Sequence, residues 1–117
     1  MTRVLIVEDD DDVRQLLVDI LTEEDYSVTQ AATYNTGIDA LASGSYDLVI
    51  SDLLLPDGSG RDLINEAEAK RIRTLLITGH PDPMQAFDDD GTLYVPKPFG
   101  LDEILERVAH RLFDAVG

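Results

Sequence analysis

Near-continuous apolar runs at residues 4–7, 48–50 and 75–77, separated by stretches of helical periodicity, confine this chain to few folds. A strand that is apolar at successive positions must be covered on both faces, as are the central strands of a parallel sheet. Strands are expected at residues 3–8, 27–31, 47–52, 73–78 and 92–96. Val13, Leu16, Leu17, Ile20 and Leu21 recur at the spacing of one helix face. Ile38 and Leu41 mark the buried side of a helix over residues 35–42, with Gly44 as its stop. Leu63, Ile64 and Ala67 do the same for residues 59–71. Leu101, Ile104, Leu105, Val108 and Leu112 make the last helix strongly amphipathic.

Strands alternating with helices predict an α/β fold, a flavodoxin-like (βα)5 doubly wound parallel sheet. The second and fifth strands are shorter and more mixed, which places them at the edges. Pro96 agrees, because proline lacks the N–H that a central strand needs. The resulting order, 2-1-3-4-5, brings the C-terminal tips of the first and third strands together at the topological switch point.

Residues 1–117 read as one domain, with no repeat or linker. The net charge of −15, from 24 acidic and 9 basic residues, argues against direct contact with nucleic acid or an anionic membrane. The chain has no cysteine, which excludes disulfides, zinc-thiolate sites and thiol catalysis, and which fits a cytoplasmic location. No apolar stretch reaches membrane-spanning length, so no membrane insertion is expected.

Acidic residues stand at the strand tips. Glu8, Asp9 and Asp10 follow the first strand, and Asp52 ends the third, just before a Pro/Gly turn. Carboxylates brought together at a switch point repel one another unless a cation sits among them. A bound metal and a reactive aspartate are the expected outcome. Thr78 ends the fourth strand and Lys97 follows the fifth.

This constellation resembles the receiver domain of two-component response regulators. The resemblance is carried by Val4-Leu5-Ile6-Val7-Glu8-Asp9-Asp10, by Asp47-Leu48-Val49-Ile50-Ser51-Asp52 with Leu55-Pro56-Asp57-Gly58-Ser59-Gly60, by Leu76-Ile77-Thr78-Gly79 and by Val95-Pro96-Lys97-Pro98-Phe99. It implies that Asp52 accepts a phosphoryl group from a histidine kinase or phosphotransfer protein, as a switch acting on a downstream protein effector. Such a switch assists its own phosphorylation and slow dephosphorylation without being a conventional enzyme. Magnesium, with manganese able to replace it, is implied on Asp9, Asp52 and the Leu54 backbone carbonyl, with Glu8 acting through a water. Lys97 would pair with Asp52 and then with a phosphoryl oxygen, and Thr78 would donate its hydroxyl to the phosphoryl group. Tyr94 matches the family's switch aromatic, and a cis bond between Lys97 and Pro98 would aim the lysine into the site.

Other residues fit plainer uses. Asp11 and Asp12 read as a solvated helix start, and His110 as a bystander. Asp10 fits site support and helix N-cap equally well. His80, two residues past Thr78, falls near the site mouth, where it would affect water access. Residues 88–90 read as an acidic loop without calcium-loop spacing.

The sequence departs from the family in two places. Residues 79–96 are short by about one helical turn and hold Pro81 and Pro83, which predicts a shortened or irregular fourth helix. Leu54 is apolar where many relatives carry a polar side chain. Two other functions compete with this reading. A phosphate-independent receiver-like binding module would not need the full set Asp9, Asp52, Thr78 and Lys97. A haloacid-dehalogenase-type phosphohydrolase would need a general acid two residues after Asp52, where Leu54 stands. The 117 residues contain no output motif, which fits a free-standing regulator and one domain of a longer protein alike.

Overall fold

The computed structural model describes residues 1–78, 94–96 and 99–113, with the backbone alone for Thr78, Tyr94 and Pro96. Its elements in chain order are β1 (Arg3–Val7), α1 (Asp11–Glu23), β2 (Ser27–Ala31), α2 (Tyr34–Ser43), β3 (Leu48–Asp52), β4 (Leu54–Leu55), β5 (Gly58–Ser59), α3 (Gly60–Ala69), β6 (Arg73–Thr78), β7 (Tyr94–Pro96) and α4 (Leu101–Phe113). Five of the strands form one sheet in the order β2-β1-β3-β6-β7, every pair parallel. This is the 2-1-3-4-5 order expected from the sequence, with Pro96 on the edge strand. The segment expected to hold a shortened fourth helix falls mainly on residues outside those described.

Side-chain alternation along the strands divides the core in two. Val4, Ile6, Leu48, Ile50, Leu75, Ile77 and Val95 meet Leu17, Ile20 and Leu21 of α1 and Ile104, Val108 and Leu112 of α4. On the opposite face Leu5, Val7 and Val49 meet Leu41 of α2 and Leu63 and Ala67 of α3. Two positions of the expected apolar faces behave differently: Leu16 is 49% exposed and Leu101 56%. Leu16 lies at the margin of α1's apolar arc, whereas Leu101 is the first residue of α4; with Asp19, Ile20, Glu23 and Phe99 they border an open cleft of about 280 Å³ between α1 and the start of α4.

The helices end by different devices. After α1, Asp25 takes φ 66°, its N–H reaches the Thr22 carbonyl, and the Tyr26 N–H reaches that of Leu21. After α3, Arg71 takes φ 63° and repeats the pattern, with Arg71 on Glu68 and Ile72 on Ala67. Both are Schellman endings built without the usual glycine. Gly44 does stop α2, but in extended conformation. Among the described residues no helix is long and apolar enough to cross a membrane.

Candidate functional site

Sheet register brings the acidic residues together. Val7 pairs with Ser51, and Asp52 with Ile77, so the residues just past β1 and at the end of β3 share one edge of the sheet. Glu8, Asp9 and Asp52 each offer one carboxylate oxygen to a point where all three lie within 4.8 Å of one another. Glu8 is fully buried and Asp52 only 7% exposed, whereas Asp9 faces solvent. Thr78 closes β6 one residue beyond Ile77, and its backbone pairs with Pro96. Lys97 follows Pro96 directly in the chain. Lys97, Pro98 and the bond between them, His80, and the side chains of Thr78 and Tyr94 lie outside the described structure.

Local hydrogen bonds fix the carboxylates. The Glu8 N–H donates to the Ala31 carbonyl at 3.0 Å, and Glu8 Oε2 accepts the Asp10 N–H at 3.0 Å. Of the two uses left open for Asp10, its side chain is a helix cap: Oδ1 accepts the Asp12 and Val13 N–H groups at 2.9 and 3.1 Å. Arg14, which sequence reasoning missed, donates to the Glu8 carbonyl at 3.0 Å, to Gln30 Oε1 at 3.0 Å and to Asp11 at 2.6 Å. Its one sequence signal is its place three residues after Asp11.

The chain leaving Asp52 is equally constrained. Asp52 Oδ1 accepts the Leu54 N–H at 3.3 Å. Leu53 donates to the Ile77 carbonyl at 3.0 Å, and Gly60 donates to the Leu53 carbonyl at 2.8 Å. A Cβ at Gly60 would stand 1.8 Å from the Asp52 carbonyl oxygen, so only glycine permits this closure. Between Leu53 and Gly60 the chain forms the short antiparallel hairpin β4–β5, which the sequence had suggested only as a turn. The Asp57 carboxylate at its tip accepts the Tyr34 and Asn35 N–H groups of α2, at 2.7 and 3.0 Å. The Asn35 bond, joined by that of Tyr34, holds the Asp57 carboxyl below its ordinary pKa.

A donor set made only of carboxylate oxygens suits a hard divalent cation such as magnesium. A parallel α/β sheet with an acidic cluster at its switch point places that cluster where open α/β folds bind their ligands. Residues 4–109 match the model of the response regulator receiver domain, and the chain belongs to that family.

Relatives agree. The chain is 36% identical over 110 residues to the uncharacterized transcriptional regulatory protein YkoG of Bacillus subtilis, covering 90% of this chain and 48% of that protein. It is 31% identical over 112 residues to the response regulator ArlR of Staphylococcus aureus, covering 92% and 51%. It thus spans about half the length of these curated relatives. Among solved structures it resembles a CheY-like receiver domain protein of Methanospirillum hungatei, with TM-score 0.90, 28% identity, and 97% and 95% of the two chains covered. It also resembles the response regulator TrrA of Thermotoga maritima, solved in complex with Mg2+-BeF, with TM-score 0.85, 32% identity, and 96% and 100% covered.

Proposed function

We propose that this receiver domain is a phosphoacceptor switch in which Asp52 takes a phosphoryl group from the phosphohistidine of a histidine kinase or phosphotransfer protein. The P–N bond breaks, a P–O bond to the Asp52 carboxylate forms, and the imidazole leaves with the bonding pair and takes a proton from solvent. The observation that carries this reading is the convergence of the Glu8, Asp9 and Asp52 carboxylates on one sheet edge of a receiver fold. Asp9, Asp52 and the Leu54 carbonyl would hold a magnesium ion, or manganese in its place, with Glu8 acting through a water. When bound, the ion would supply positive charge to offset that of the phosphoryl group.

This chain's own groups do the rest. The Leu54 N–H orients Asp52 Oδ1 at 3.3 Å. By family resemblance, Lys97 pairs with Asp52 and then with a phosphoryl oxygen, helped by a cis bond to Pro98, and Thr78 donates its hydroxyl. By the same resemblance, movement of Thr78 would open room for Tyr94, and the surface around β7 and α4 would change for a protein effector.

The test is incubation with a small phosphodonor such as acetyl phosphate and magnesium, read by intact mass. A phosphate-sized gain in the wild type that is lost in Asp52→Ala is expected. No gain under conditions that label a control receiver would overturn the reading.

A further inference from the structure

The geometry points to Asp57 as a positioning residue for the metal-binding backbone, acting from outside the acidic cluster; this rests on the reading that the Leu54 carbonyl is a ligand. Leu54 sits on β4, paired with Ser59, while Leu55 pairs with Gly58, so the Leu54 backbone is held within the hairpin. Its base is tied to the sheet by the Leu53 N–H on the Ile77 carbonyl and closed on itself by the Gly60 N–H on the Leu53 carbonyl. Its tip is tied to α2 by the two bonds that Asp57 accepts from Tyr34 and Asn35, 23 and 22 residues away in sequence. Gly58 lies against the Tyr34 ring so closely that a Cβ there would come within 2.6 Å of it.

The first turn of α2 is thus capped by two devices of different reach. Thr33 Oγ1 accepts the Thr36 N–H at 3.1 Å and serves the helix alone. Asp57 accepts the Tyr34 and Asn35 N–H groups and joins the helix to the hairpin that carries Leu54. A carboxylate at a helix N-terminus also gains from the helix dipole. With both ends held, the Leu54 carbonyl is presented at a fixed place and orientation. With the tip released, that order must be supplied when the ion binds.

The experiment is magnesium titration of the full chain, followed by amide NMR shifts, for wild type, Asp57→Ala, Asp57→Asn and Thr33→Ala. Asp57→Ala should bind magnesium roughly tenfold more weakly, the low end of what losing an outer partner of a metal site costs. Asp57→Asn, with one acceptor oxygen in place of two, should fall between. Thr33→Ala should keep wild-type affinity although it loses helix stability. Faster hydrogen exchange at Tyr34 and Asn35 should accompany the weakened binding. Equal affinity in wild type and Asp57→Ala, or equal weakening in Asp57→Ala and Thr33→Ala, would overturn this inference alone. A wild type that shows no saturable magnesium binding would overturn the metal reading beneath it.

Discussion

Leu54 projects into solvent two residues past Asp52, with 59% of its surface exposed. An apolar side chain there cannot orient a water for attack on an acyl phosphate. Phosphorylated wild type should therefore decay several-fold more slowly than a phosphorylated Leu54→Asn variant, measured by intact mass over time; equal decay would refute this. The residues of the acidic cluster were legible because each ends an apolar run, and the run itself marks a strand tip. Arg14 and Asp57 were not, because their partners lie elsewhere in the chain. Arg14 reaches Glu8 and Gln30, and Asp57 reaches Tyr34 and Asn35. No spacing rule connects such pairs.

The Schellman endings after α1 and α3 put side chains where glycine is preferred, since φ near 60° brings Cβ against the backbone. Arg71→Gly should raise stability by up to about 1 kcal/mol, and Asp25→Gly by less, because aspartate tolerates this region better. Thermal unfolding checks the order; an Arg71→Gly protein that melts lower would sink the argument. The Asp57 cap on α2 adds a pH signature. Its folded pKa lies below the ordinary value, chiefly through the Asn35 N–H, so its contribution is complete above the ordinary carboxylate range. That contribution is lost as pH falls through the depressed folded value. Asp57→Asn should be the less stable protein at neutral pH, and the gap should close over that acid window in denaturant titrations. A gap independent of pH would exclude the carboxylate as its source. At this scale the sequence located the strands and helices of the described residues to within a residue or two, while the fourth helix it expected lies outside them. It missed β4–β5, whose two-residue strands carry no periodicity, and it overcounted the buried faces at Leu16 and Leu101.

For the molecule as a whole, the net charge of −15 makes self-repulsion a standing cost, concentrated where Glu8, Asp9 and Asp52 meet. Magnesium that binds only the folded state should raise its stability, by about 2.7 kcal/mol at a free concentration one hundred times the dissociation constant. The melting temperature of wild type should rise from chelator to magnesium buffer at matched ionic strength, and Asp9→Asn should lose most of that rise. Equal shifts in both proteins would mean that the cation acts by general screening.

By itself the sequence determined the fold class, the sheet order and the residues at the strand tips. Those follow from apolar runs and turn residues, which are local and periodic. Only the tertiary structure decided that Glu8 is buried while Asp9 is exposed, that Asp10 turns to cap α1, and that the tip of β4–β5 is fastened to α2. The first depends on how the packed elements cover each side chain, and the other two on which backbone N–H groups are left needing a partner, near in the chain for Asp10 and distant for Asp57; both are properties of the assembled molecule.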